Sequence, residues 1–223
     1  MKTCVIIPAV NEARHIGFVL EGIRPYGIPV VVIDDGSSDE TSAVAKEKGA
    51  VVLRNRQNLG KGAALIRGFQ YAVENHFDAV LTMDGDGQHD PQDIPFFLRH
   101  AEYSSNGIVI GNRMGRARGM PLVRLATNWC MSWLLSCVVR QSVPDTQCGF
   151  RLIKSEVLKR LDLRTKKFET ESEIIIKASR AGFKVKSIPI KTLYAQTKSQ
   201  IDPLIDTLRF IKLLAYETWR AQN

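Results

Sequence analysis

Short, almost wholly apolar runs that stop abruptly in polar or acidic clusters most limit what this chain can fold into. Cys4 to Val10 runs into Asn11-Glu12, Val30 to Ile33 into Asp34-Asp35-Gly36-Ser37-Ser38-Asp39, and Ala79 to Met83 into Asp84-Gly85-Asp86. Runs of this length, rich in β-branched residues and apolar on both faces, suit buried strands. Between them lie segments of helical spacing: Ile16, Val19, Leu20 and Ile23, then TSAVAKEKG closed by Gly49, then Lys61 to Glu74. Val51 to Leu53 and Ile108 to Ile110 predict further strands, and Pro91 to Tyr103 a helix. The alternation predicts an α/β fold, a mostly parallel sheet flanked by helices. In such sheets ligands bind beyond the carboxyl ends of the strands, so the polar clusters are expected at one site.

The chain has 223 residues, 44% hydrophobic and 24% charged, as in an ordinary globular protein. Its start, MKTCVIIPAV, enters a strand-like run directly and lacks the sections of a signal peptide, which predicts a cytoplasmic location. Cys4, Cys130, Cys137 and Cys148 form no C-x-x-C pair and are expected to be reduced, mostly buried thiols. A net charge of +8 suits nucleic acid, an anionic membrane surface or a phosphorylated substrate. Nucleic acid is set aside because the basic residues do not interleave with aromatics.

After Gly119 the pattern changes. Leu122 to Val139 is apolar with Trp129 and Trp133 four apart, but Arg124, Asn128 and the flanking Arg140 make it a poor spanning helix. It reads as a helix lying in a membrane surface or buried against the sheet. Pro203 to Trp219 predicts an amphipathic helix with Leu204, Leu208, Ile211, Ala215 and Trp219 along one stripe. Arg209, Lys212 and Arg220 are then available to anionic lipid, although such a stripe equally suits core packing.

Asp84-Gly85-Asp86 puts two carboxylates on one side of an extended segment, with Gly85 permitting close backbone approach. Hard cations such as Mg²⁺ or Mn²⁺ take such oxygens and share their remaining positions with phosphate. A solvated acidic turn is the alternative for a lone D-x-D. An EF-hand is excluded because Pro95 stands at the twelfth position from Asp84. Asn58-Leu59-Gly60-Lys61-Gly62-Ala63 fits neither a Walker loop nor G-x-G-x-x-G, since Leu65 takes the last glycine's place. It is a glycine turn capping a helix or a direct nucleotide contact through Lys61. His89, beside the acidic cluster, suits a hydrogen-bonding role.

VIIPAVNE, VVVIDDGSSDET, NLGKGAALIRGF, LTMDGDGQHDP, IGNRM and DTQCGFR stand in this order between Cys4 and Ile190. The set resembles the inverting family-2 glycosyltransferases, most closely the branch of dolichyl- and polyprenyl-phosphate mannosyl- and glucosyltransferases. The resemblance implies a GT-A fold (Rossmann-like, nucleotide-diphospho-sugar transferase), a nucleotide-sugar donor, a divalent metal, and a polyprenyl phosphate or glycan acceptor. It implies a GT-A domain over 1–200, with a donor half 1–113 and an acceptor half 114–200, followed by an amphipathic helix over 201–223. Pro8, Val10 and Glu12 match the first donor-binding motif, and Ile33 and Asp35, with Asp34 beside them, the strand end holding base and ribose. Asp84 and Asp86 match the metal-binding pair, Gln88 a further metal-side residue, and Arg113 an arginine that approaches an acceptor phosphate. The family's closing arginine and Ser-Lys lysine are missing from Tyr194 to Gln200, where Lys198 is the nearest substitute for closing on the diphosphate.

Transfer of a hexose from a GDP-mannose or UDP-glucose type donor to a polyprenyl phosphate at the cytosolic membrane face is therefore expected, with Asp86 and Arg113 central. Transfer to a saccharide or small-molecule hydroxyl is the alternative; it needs a base, for which Asp145, Glu169 and Glu171 are candidates. Glu169 and Glu171 equally suit the start of a helix. A catalytically silent nucleotide-sugar-binding module is a third reading, which the intact D-x-D, Gln88 and Arg113 oppose. Membrane contact would come from the amphipathic segments or a membrane partner.

Overall fold

The computed structural model describes residues 1–102, 106–116, 122–191, 193 and 203–220. The apolar runs form strands β1 (Thr3–Ala9), β2 (Val30–Asp34), β3 (Val51–Arg54), β4 (Ala79–Thr82) and β5 (Ile108–Asn112). Helices α1 (Ala13–Ile23), α2 (Thr41–Glu47), α3 (Lys61–Glu74) and α4 (Ile94–Glu102) connect them, α4 being preceded by a 3-10 turn at Pro91–Asp93. The predicted end of that helix, Tyr103, lies outside the described residues. The expected spacing on α1 holds: Ile16, Val19, Leu20 and Ile23 are buried.

Then follow α5 (Leu122–Val139), β6 (Arg151–Lys154), α6 (Ser155–Leu158), α7 (Thr170–Arg180), β7 (Val185–Pro189) and α8 (Pro203–Arg220). The seven strands form one sheet in the order β3-β2-β1-β4-β6-β5-β7. Every pairing is parallel except those of β6, which runs antiparallel between β4 and β5. The apolar-run criterion does not find β6 or β7. Strand β6 opens on Arg151, 1% exposed, whose guanidinium donates to the carbonyls of Cys148 (2.7 Å), Thr146 (2.6 Å) and Glu171 (2.6 Å). A charged residue reads as surface in sequence; here three carbonyls satisfy it in the interior.

The reversal of β6 matters for the site. Because this strand enters from the edge where β1, β2 and β4 end, the preceding Cys148-Gly149-Phe150 segment lies beside the polar clusters. A Cβ on Gly149 would stand 2.5 Å from Asp84 Oδ2, so only glycine allows this approach. Phe150 stacks on Phe97 at 4.3 Å between ring centres and on His89 at 5.1 Å.

The thiol expectation holds for half of its members. Cys4 and Cys148 are buried, and burial pushes both thiols up to about 12, whereas Cys130 and Cys137 are exposed on α5. Helix α8 packs on α5 and α7, but through Phe210, Leu213 and Leu214, not through the expected stripe. Leu208, Ile211, Ala215 and Trp219 face outward, and the Leu204 side chain lies outside the described residues. Among the described residues no helix is long and apolar enough to cross a membrane.

Candidate active site

A cavity of about 760 Å³ opens at the carboxyl edge of the sheet. Pro8, Val10 and Glu12 line it from the end of β1, Asp35 from the end of β2, and Asp84, Gly85, Asp86 and Gln88 from the end of β4. Lys61 enters from the start of α3 and Arg113 from the end of β5. Four strand ends thus converge, as open parallel sheets dictate. Ile33 and Asp34 do not reach the cavity. Ile33 is a core residue, and Asp34 accepts hydrogen bonds from the Ser37 backbone N–H (2.8 Å) and the Ser42 hydroxyl, organising the turn after β2. Lys198 lies outside the described residues.

Asp35 is largely spent on the loop between β3 and α3. Its oxygens accept from the Asn55 amide (2.7 Å) and from the backbone N–H groups of Leu59 (3.0 Å) and Gly60 (2.7 Å). That clamp fixes the turn that starts α3 and aims Lys61. A Cβ on the next residue, Gly62, would overlap Thr170 Oγ1 at 1.9 Å, so the start of α3 lies directly against α7. Lys61 Nζ then stands between Asp84 Oδ1 (2.6 Å) and Glu171 Oε1 (2.9 Å).

The two carboxylates of D-x-D differ sharply. Burial alone would raise Asp84, but the Lys61 ammonium and neighbouring positive charge outweigh it and hold this carboxyl well below the usual range. Asp86 makes no such ion pair among the described residues: burial and the Asp84 charge push it up to about 6, against a hydrogen bond from the Gln88 N–H (3.0 Å) and the more distant Lys61 charge. Burial lowers His89 to about 4, so its ring is neutral. The Asp84 N–H donates to His89 Nδ1 (3.2 Å), which puts the ring proton on Nε2, 3.8 Å from Asp84 Oδ2. His89 therefore buttresses the backbone of the cluster.

Asp145 does not line the cavity. It sits behind Arg113, accepting from Arg113 Nε (2.8 Å), Nη2 (2.9 Å) and backbone N–H (3.0 Å), and from the Asn128 amide (2.8 Å). Burial opposes its charge, yet the Arg113 bonds dominate and its pKa is lowered. A carboxylate so saturated is a weak base and a strong positioner. Asp145 occupies the Nε and Nη2 side of the Arg113 guanidinium. Glu171 is likewise engaged by Lys61 and by Arg151 at 3.5 Å, whereas Glu169 lines the cavity with Oε2 buried and unpartnered. Arg14, Lys167, Asp206, Arg209 and Phe210 also line it. No motif announced them; for the last three, the helical phase of α8 was the only signal.

Among the described residues no group of three or more His, Cys, Asp or Glu side chains could hold a metal ion. Asp84 and Asp86 nonetheless fit a hard divalent cation as two oxygen donors on a cavity large enough for diphosphate oxygens and water to complete the shell.

The family model Glycosyl transferase family 2 matches residues 4–162. The chain belongs to this family. A UDP-N-acetylglucosamine–dolichyl-phosphate N-acetylglucosaminyltransferase of Methanococcus voltae is 31% identical over 215 residues, covering 86% of each chain. An undecaprenyl-phosphate mannosyltransferase of Micrococcus luteus is 27% identical over 204 residues, covering 85% of this chain and 83% of its own. The family 2 chain also shares its fold with glucosyl-3-phosphoglycerate synthase of Mycobacterium tuberculosis. One crystal structure of that protein matches with a TM-score of 0.75 at 21% identity, over 97% of this chain and 80% of that one. Another, a complex with Mn²⁺, UDP and glucosyl-3-phosphoglycerate, gives 0.71 at 22% identity, over 97% and 78%. The protein is thus a glycosyltransferase with the GT-A fold and a C-terminal helix, and polyprenyl-phosphate sugar transferases are among its relatives.

Proposed function

We propose that this glycosyltransferase moves a hexose or N-acetylhexosamine from a nucleotide-diphosphate donor to a polyprenyl phosphate, with inversion, at the cytosolic face of a membrane. The observation that carries the donor half is the pairing of Asp84 with Asp86 on the cavity wall, where Asp86 is half-buried and lies in no ion pair among the described residues. Mg²⁺ or Mn²⁺ bound by Asp84 and Asp86, with Gln88 at its side, supplies Lewis-acid neutralisation of the leaving diphosphate. Pro8, Val10, Glu12 and Asp35 form the wall for nucleoside and ribose, and Lys61 adds positive charge over the diphosphate. Arg113, held by Asp145, presents its remaining guanidinium edge to the acceptor phosphate. The bond from the sugar to the diphosphate breaks with its electrons going to diphosphate oxygen, and an acceptor phosphate oxygen bonds the same carbon. That oxygen is already an anion, so no base is needed, which accords with the saturated state of Asp145.

Glu169 favours a second reading. Its unpartnered Oε2 on the cavity is placed to take a proton from a saccharide hydroxyl. The separating experiment offers GDP-mannose, UDP-glucose and UDP-N-acetylglucosamine with Mn²⁺, with and without a short polyprenyl phosphate. Lipid-stimulated, metal-dependent nucleotide release supports the first reading. Nucleotide binding without lipid stimulation moves the acceptor to a hydroxyl compound, and absence of nucleotide binding removes both.

A further inference from the structure

Helices α5 and α8 pack against each other, and both turn large apolar side chains to the outside. On α5, Val123, Trp129 and Trp133 are 70%, 65% and 57% exposed; on α8, Leu208, Ile211 and Trp219 are 67%, 50% and 62% exposed. Single exposed apolar residues need no explanation, but two adjoining helices doing so together do.

The charges on these helices are sorted as well. Helix α5 contains no carboxylate. The two carboxylates of α8, Asp206 and Glu217, are both buried, paired with Arg209 and Arg180 respectively. Lys212 and Arg220, and Arg140 just beyond α5, are exposed. Outward-facing described residues on these helices are therefore apolar, neutral polar or cationic, and none is acidic. A second copy of this face offers such cations nothing to pair with, while an anionic lipid surface offers both acyl chain and negative charge.

We propose that the outer faces of α5 and α8 form a docking surface for an anionic lipid bilayer. The inference rests on the polyprenyl-phosphate reading and gives it a geometry. The opposite edge of α8 supplies Arg209 and Phe210 to the cavity, so docking sets one helix between the headgroup layer and the reaction site. A phosphate on a membrane-held acceptor then needs to travel only across that helix.

The test is cosedimentation of the full chain with phosphatidylcholine vesicles, with and without phosphatidylglycerol. Capture is expected on the phosphatidylglycerol vesicles and falls with salt. Leu208→Ser with Trp219→Ser is expected to weaken it at least tenfold, and Lys212→Glu with Arg220→Glu by roughly fivefold for each charge removed. Nucleotide binding is expected to stay unchanged in both variants, whose side chains face outward and do not line the cavity, and thermal unfolding is expected to stay cooperative. No capture of the parent protein, equal capture of the variants, or a lipid-free dimer that the Leu208/Trp219 variant turns into a monomer would each overturn the proposal. Capture without transfer to polyprenyl phosphate leaves docking standing and removes the acceptor reading; transfer in detergent without capture does the reverse.

Discussion

The Lys61 ammonium lies 2.6 Å from Asp84 Oδ1, on the carboxylate that the family motif assigns to a metal. In the metal-free protein this lysine supplies the positive charge that Asp84 requires. The Lys61 and Asp84 side chains are 17% and 25% exposed, so removing one of them costs less than the roughly 3–5 kcal/mol of a fully buried pair. Lys61→Met is expected to lower thermal stability by several degrees and to show a larger Mn²⁺-induced rise in Tm than the parent, because the cation replaces the lost ammonium. Equal Mn²⁺ shifts in differential scanning calorimetry would show that Lys61 and the metal do not share Asp84.

Asp86 predicts a pH dependence. Its folded-state value of about 6 lies above the ordinary 3.8. Its proton therefore favours the metal-free fold at low pH, and that contribution is lost as pH rises through about 6. Mn²⁺ must displace the same proton, so its affinity should level off above about pH 7 and weaken by up to about tenfold per unit well below pH 6. Calorimetric Mn²⁺ titrations across this range check the slope. Asp86→Asn should abolish metal-dependent turnover, leave folding intact and remove the Asp86 component of the slope.

Arg113 and Asp145 stand or fall together. Arg113→Ala leaves a buried carboxylate without its partner and is expected to cost about 3–5 kcal/mol, read by denaturant unfolding. Arg113→Lys keeps the charge but loses the fork. It is expected to raise KM for the acceptor at least tenfold with little change in donor affinity. A matching loss of donor affinity would place Arg113 on the donor.

Gly149 lies against the metal-side carboxylate. A Cβ there meets Asp84 Oδ2 at 2.5 Å and must displace it. Gly149→Ala is expected to cost about 1–3 kcal/mol by overpacking and to weaken Mn²⁺ binding at least tenfold. Mn²⁺ affinity equal to the parent's would mean that the loop, not Asp84, gives way.

Much of the site at the ends of β1, β2 and β4 was legible because it is local. An apolar run ending in a polar cluster specifies a strand and what stands at its carboxyl end, so Glu12, Asp35, Asp84 and Asp86 could be expected together before any contact was known. Asp34 shows the limit: adjacent to Asp35 in sequence, it is turned into Ser37 and Ser42, because successive side chains of a strand point to opposite faces. The part of the cavity around Arg113 was less legible. Asp145 and Glu171 could be named as candidates, but that they pair with Arg113 and Lys61, and that Arg209 reaches the cavity, follows from contacts distant in sequence.

By itself the sequence determined the β/α alternation, the strand ends that carry the acidic clusters and the family, since each depends on short-range pattern. Tertiary structure alone decided the antiparallel insertion of β6, the difference between Asp84 and Asp86, and which face of α8 is covered. Those outcomes depend on which charges and surfaces burial brings together. Lys61 reaches Asp84 across 23 residues of chain, and an amphipathic helix acquires an inside only when α5 and α7 supply one.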